Sequence, residues 1–430
     1  MTSIGLAIAI AAARAVAQPA EPVPATPDAG VGSGSAPGSA ATGSAPAGPG
    51  SGSAAGSGSG SDSENLLAHI NDEPDADAKK GHNETFGKQL QLFGMETNWS
   101  GYGDLLFETV PNQNTATFDA THFNPVFSVR MSDVLSGEME LEFEHGGLGI
   151  NAEYAMIDLA PFGTRELVIR AGKFLVPFGR FNEQLHPSFR WSQIDRPLMM
   201  TEIVPVEWSD VGVQVRGQIK SGDLAFDYAA FVANGLNEHP GATGAEADEG
   251  ELGFIAGLRS NLLDSNRDKG LGARAAITSS SGDKSTVSLG VSGYTGRTSP
   301  AGDPDGPERL TMVDVDAYAR QGALFIIAEF AQAFFGSQTL GYYQTFERGA
   351  YLQLGYTIER STLVGRYDYA SLGSQDGGMV GPLTGYHALA LTYKFAPSPT
   401  WSIRLEVTQP LKPSDTSSNT KLATGLAFVF

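Results

Sequence analysis

From Trp99 to the last residue, apolar and polar side chains alternate in successive segments of about ten residues, and this period of two limits the chain to extended strands. In Glu138-Met139-Glu140-Leu141-Glu142-Phe143-Glu144, one face is all carboxylate and the other all apolar. Val211, Val213, Val215 and Ile219 likewise alternate with Gln214, Arg216, Gln218 and Lys220, and Trp401, Ile403, Leu405 and Val407 with Ser402, Arg404, Glu406 and Thr408. Alternation alone fits two architectures. In a soluble sandwich the polar face meets water. In a membrane barrel the apolar face meets lipid and the polar face lines a lumen. After the N-terminal segment no run reaches the ~18 apolar residues of a spanning helix, so a membrane-spanning form of this chain has to be a barrel.

The connections discriminate further. Strands are predicted at 100–109, 122–132, 136–145, 150–159, 165–176, 210–220, 223–233, 270–279, 284–294, 311–320, 323–334, 349–359, 361–370, 385–395, 400–409 and 420–430. Short turns, such as Ser221-Gly222 and Gln321-Gly322, fall after even-numbered strands. Long loops, at 177–209, 234–269, 295–310, 335–348 and 371–384, fall after odd-numbered ones. That alternation and the even total of sixteen describe a transmembrane antiparallel β-barrel with tight turns at one end and long loops at the other. Segment 251–260, ELGFIAGLRS, has some strand character but breaks the parity, so it is assigned to a loop; eighteen strands is the fallback count.

Ahead of the barrel, Ile4 to Ala13 forms an apolar core, and Ala15-Val16-Ala17 a small-residue cleavage pattern, read as a signal peptide over 1–17. Residues 18–63 are Gly, Ser, Ala and Pro with hardly a large side chain, a disordered linker by composition. Residues 64–96 are expected to be an acidic periplasmic segment before a barrel over 97–430. The formal charge of −20 argues against nucleic acid as a partner. With no cysteine, thiolate metal sites, disulfides and cysteine nucleophiles are excluded. His69 and His82 stand among carboxylates without ligand spacing, so neither a metal nor a cofactor is expected.

GYGDLLFE at 101–108, EMELEFEHGG at 138–147, AGKFLVPFGRFNEQLHP at 171–187, DRPLM at 195–199, IVPVEW at 203–208 and FVANGLN at 231–237 resemble, in order and spacing, the phosphate-selective porin family of Gram-negative bacteria. The resemblance covers about residues 97–240 by motif and the remainder by strand rhythm. It implies a sixteen-stranded outer-membrane barrel, expected as a homotrimer in lipid, passing small solutes, anions such as phosphate among them. The third outer loop, here 177–209, would fold inward and narrow the pore. The last strand, with Leu422, Leu426, Phe428 and Phe430, resembles the signature by which the barrel-assembly machinery recognises its clients.

In that loop Pro177, Pro187, Pro197 and Pro205 exclude a continuous ladder or helix. Arg180, Glu183, His186, Arg190, Asp195 and Arg196 are the candidate constriction residues, since fixed charges at a narrow point select solutes. The arginines either offer a positive rim or pair with Glu183, Asp195, Glu202 and Glu207 and pin the loop; the sequence leaves both readings open. Phe181, Phe189 and Trp191 read as loop anchors rather than as solute-stacking rings. Arg130, Arg170, Arg216, Lys220, Arg320, Arg366 and Arg404 fall on the lumen side of the wall, as do Glu140, Glu142, Asp314 and Asp316. No dense basic ladder or lysine-rich region is present, so the fold and channel role carry over from the resemblance and phosphate does not. Two other classes are weighed: an outer-membrane hydrolase, for which His145, His186, His239 and His387 lack a G-x-S-x-G elbow, and a secreted lectin-like β-protein.

Overall fold

A computed structural model describes residues 90–92, 95–147, 149–205, 207–237, 255, 258–260, 266–282, 285–299, 308–337, 342–372, 384–411 and 419–430. The signal-peptide and linker assignments, and most of the acidic segment, lie outside these residues. Sixteen strands close into one antiparallel barrel. They are β1 (Met95–Val110), β2 (Thr115–Arg130), β3 (Leu135–Glu144), β4 (Gly149–Leu159), β5 (Val168–Leu175), β6 (Ser209–Ser221), β7 (Leu224–Ala233) and β8 (Gly270–Ser281). The second half is β9 (Ser285–Arg297), β10 (Glu308–Gln321), β11 (Leu324–Ser337), β12 (Tyr342–Ile358), β13 (Ser361–Leu372), β14 (Thr384–Ser398), β15 (Trp401–Pro410) and β16 (Lys421–Val429).

Every strand pairs with its sequence neighbours, and β16 pairs with β1 from Leu422↔Thr109 to Val429↔Tyr102, which closes the ring and leaves no free edge. Each of the sixteen expected segments coincides with one strand. Several boundaries differ: β1, β2 and β12 begin at Met95, Thr115 and Tyr342 rather than at 100, 122 and 349. The connection expected at 335–348 is largely strand, because β11 runs to Ser337 and β12 starts at Tyr342. A ladder extends as long as hydrogen-bond partners face each other, whatever the side-chain pattern beyond the apolar belt. Among the described residues of 251–260, Arg259–Ser260 is strand; it pairs with Leu236–Asn237 outside the barrel, so the count of sixteen stands.

The barrel is apolar outside and charged inside. Leu352, Leu354, Leu363, Leu391 and Leu405 are each about half exposed on the exterior, whereas Asp314, Asp316, Asp368 and Gln353 are buried on the interior of the same sheet. Trp99, Phe127, Phe226, Tyr356, Phe395 and Trp401 are exposed near the turn end, the placement of an aromatic girdle.

The interior also holds a core. Phe174, Val176, Phe178, Phe181, Leu185 and Trp191, from β5 and the segment after it, are buried in one cluster with wall residues Tyr294, Met312, Tyr318, Ile327 and Tyr351. Small residues make the space: Ala331, Ala333 and Ala370 are fully buried, and a Cβ at Gly349 would lie 2.8 Å from Met199 and 2.9 Å from Ile203.

Candidate functional site: the inward loop and the lumen wall

Residues 176–208 leave β5 and return to β6 as one inward loop. Its neck is closed by backbone and side chain together. Val176 N–H donates to Trp208 O at 2.8 Å. Asn182 Nδ2 donates to Val176 O at 2.9 Å and to Trp208 O at 2.8 Å, while its Oδ1 accepts from Trp208 N–H at 3.1 Å. Gly179 turns the chain towards the wall at φ +65°, where an L side chain is disfavoured, and a Cβ there would sit 1.9 Å from Glu329 Oε1. The Gly179 N–H donates to Ser292 Oγ at 3.0 Å and the Arg180 N–H to Glu329 Oε1 at 2.8 Å. A wide helical turn over Phe181–Leu185 follows, then a short helix, α1 (Leu198–Glu202), which the prolines confine to one turn.

The far end of the loop reaches the opposite wall. Ile194 and Asp195 donate their N–H groups to the Glu406 carboxylate at 2.8 and 2.9 Å, and Gln193 Nε2 donates to Thr392 at 3.1 Å. Arg366 donates to Gln193 Oε1 at 2.8 Å, to Asp195 O at 2.7 Å and to Arg196 O at 3.2 Å, while its Nε holds Asp368 at 2.8 Å. Arg404 donates to the carbonyls of Gln193 and Ser188. Two arginines assigned to the pore wall are thus engaged with loop carbonyls.

The six constriction candidates are spread over this loop and do not form one rim. Arg180 is buried with its guanidinium 4.6 Å over the Tyr318 ring. Glu183 accepts from Arg216 Nη1 at 2.5 Å. His186 is buried, with Nε2 4.0 Å from Glu153 Oε1. Arg190 lies over the Phe189 ring at 5.5 Å. Asp195 binds Lys421 Nζ at 2.6 Å and accepts from Thr408 at 2.9 Å. Arg196 donates to Glu207. Phe181 and Trp191 meet edge to face at 5.0 Å inside the core, and Phe189 rests on Tyr102 at 5.3 Å.

On the wall, Arg170 makes a bidentate pair with Asp158, both contacts 2.8 Å. Glu140 accepts from Tyr102 at 2.6 Å and from Asn124 at 2.8 Å, and Asn124 also donates to Glu142 at 3.4 Å. Asp316 is held by Arg274 Nη1 at 2.5 Å, and Asp314 beside it is fully buried. Arg320 caps the turn through Gly322 O at 3.1 Å, Arg130 lies 4.0 Å from Glu96, and Lys220 is exposed near the turn. Of the other histidines, His145 binds Asp119 at 2.8 Å, His387 binds Tyr367 at 2.6 Å, and His239 is outside the described residues.

Sequence reasoning did not single out Asn182, Gln193, Arg274, Glu153, Asp104 or His122. Asn182 and Gln193 sit in an aperiodic loop, where no pattern marks an inward side chain. Arg274 lies among small residues in GLGARAAITSS, where the alternation is weak; only its parity with Ala276 and Thr278 points inward.

Two loop groups carry charge states that the packing sets. Burial lowers the pKa of His186; Glu207 opposes this, Arg196 reinforces it, and the imidazole is brought to about 4, neutral at pH 7. Burial would raise Glu207, but Arg196 and then His122 outweigh it and hold this carboxyl well below its usual range, so it stays ionised.

Comparisons with known proteins agree on the architecture. No family model matches the chain. An uncharacterized protein of Aquifex aeolicus (strain VF5) is 29% identical over 170 residues, covering 37% of this chain and 35% of that protein, so the match spans about a third of its relative. Among solved structures, an anion-selective porin from Comamonas acidovorans superposes with a TM-score of 0.54 at 13% identity, covering 78% of this chain and 100% of the porin. OmpT with its loop L8 deleted, an outer membrane protein of Vibrio cholerae, gives 0.54 at 11% identity over 78% and 99%. Salmonella typhi OmpF gives 0.50 at 11% identity over 78% and 97%. At these identities the likeness is one of fold: the chain has the porin-like barrel of outer-membrane proteins.

Proposed function

We propose that the protein is an outer-membrane porin, a non-enzymatic water-filled channel for passive diffusion of small solutes, narrowed by the loop at 177–209. The observation that carries this reading is the closed barrel with an apolar exterior and a charged interior, entered by a loop bonded to the opposite wall. A homotrimer in lipid, with the turn end in the periplasm, is the arrangement proposed with it. An anion-selective porin, and the outer membrane protein OmpT in a trimer form, share the fold and support this by likeness alone.

The balance of charges favours cations over the anions that the family resemblance implies. Among the described residues, buried carboxylates outnumber buried guanidinium groups more than two to one. Four of the five buried guanidiniums are moreover occupied: Arg170 by Asp158, Arg274 by Asp316, and Arg366 and Arg404 by loop carbonyls. Those carboxylates that are ionised around a narrow passage raise the local cation concentration.

Planar-bilayer recording of the purified protein tests both levels. Discrete conductance steps are expected, with a reversal potential of cation sign in a KCl gradient. A bilayer that stays silent with heat-modifiable protein present rejects the channel, and a reversal potential of anion sign keeps the channel but rejects the cation preference.

A further inference from the structure

We propose that His122, Glu142, Glu144 and Glu207 form a site for a first-row divalent cation of the Zn2+ or Mn2+ class, which ties the end of the inward loop to the barrel wall. One ligand atom from each of the four lies within 4.8 Å of all the others. His122 comes from β2, Glu142 and Glu144 from β3, and Glu207 from the last turn of the loop before β6.

The imidazole is set from behind. Nδ1 of His122 lies 3.0 Å from Asp104 Oδ1, and the His122 backbone N–H donates to the same oxygen at 2.9 Å. With Nδ1 as the donor, Nε2 faces Glu142 and Glu207, whose Oε1 atoms are 3.8 and 3.7 Å away. Those gaps are too long for hydrogen bonds. They are close to the ~3.4 Å that separates two ligand atoms each ~2.1 Å from one tetrahedral ion. A carboxylate on the far ring nitrogen is also what orients a metal-binding imidazole and raises its basicity. Arg196 donates to Glu207 Oε1, which leaves that carboxylate further lone pairs to offer.

A second feature points to a ligand independently. Glu153 and His186, each more than nine-tenths buried, have Oε1 and Nε2 without a hydrogen-bond partner, and these two atoms face one another 4.0 Å apart. They border the cluster: the charges of Glu142 and Glu207 act on Glu153, and those of Glu207 and His122 on His186. Buried polar atoms left in this state are unfavourable unless a further charge or solvent molecule satisfies them. A donor set of one imidazole with carboxylates, in a chain without cysteine, suits Zn2+ or Mn2+ rather than a thiophilic ion.

This site rests on the barrel and its loop, not on conduction. The test uses the full chain in detergent, stripped of metal and then equilibrated with Zn2+, or with Mn2+ for electron paramagnetic resonance. One ion per heat-modifiable chain is expected, with nitrogen hyperfine coupling from an imidazole. His122→Gln should abolish that coupling, and Glu142→Gln with Glu207→Gln should weaken binding by about 10- to 100-fold at unchanged heat-modifiability. Substoichiometric binding, a bound Mn2+ without nitrogen coupling, or equal affinity in the folded double variant would overturn the proposal. If the variants do not fold, the nitrogen coupling of the unaltered chain decides alone. Conductance recorded on the metal-free preparation reports separately on the channel.

Discussion

Asn182 shows how a loop with no regular ladder is held in one shape. Three contacts from a single amide join the residues where the loop leaves β5 and rejoins β6. Asn182→Ala leaves Val176 O and Trp208 N–H buried without that partner, at a cost of about 2 kcal/mol. Tryptic cleavage after Arg190 in the folded protein is therefore expected to quicken roughly 30-fold, provided that local opening limits access. A rate unchanged from the parent chain would show that the neck is held by the core rather than by the amide. Arg366 and Arg404 teach a related lesson. The period of two placed both on the lumen side, but whether such a guanidinium meets a solute or a loop carbonyl is settled by what the loop brings to it.

At the scale of elements, the seam between β16 and β1 closes the barrel. Gly101 and Phe430 exchange N–H···O bonds of 2.9 Å in both directions, and the Phe430 ring stacks on Phe123 at 5.0 Å. The ring lies where a side chain at residue 101 would be: a Cβ there meets Phe430 at 2.5 Å and Asn124 O at 2.7 Å. Gly103 stands in the same relation to Phe428, at 2.8 Å. The GYG of the first strand is thus the complement of the aromatic last strand, a pairing across more than 300 residues. Gly101→Val should lower the temperature at which the folded band converts to the unfolded one on a gel. Gly365→Ala, where a Cβ meets nothing within 4 Å, should stay within about 0.5 kcal/mol of the parent. Equal behaviour of the two variants would remove the role given to the seam glycine.

For the molecule as a whole, a selectivity that arises from summed wall charge rather than from a binding pocket must be screened by salt. The Debye length falls from about 10 Å at 0.1 M to about 3 Å at 1 M. The cation-to-anion permeability ratio is therefore expected to fall towards one over that range. A ratio independent of salt would point instead to a discrete site in the passage. Alternation, turn placement and strand number were legible in the sequence because a barrel repeats one local rule: each residue faces lipid or lumen according to its parity, and each turn obeys local backbone preferences. So the sixteen strands and the lumen side of Arg170, Asp314, Arg366 and Glu406 could be read residue by residue. Within the loop 177–209 no such rule applies. Its charges were visible, but their partners are remote in sequence: Arg180 N–H with Glu329, Asp195 with Lys421 and with Glu406, and Glu207 with His122. The sequence by itself determined the barrel, with an apolar exterior and a wall of mixed charge inside, since both follow from local periodicity. Only the tertiary structure decided which carboxylates converge on His122 and which arginines are taken up in holding the loop, because those contacts depend on closure of the ring bringing distant strands to face one folded segment.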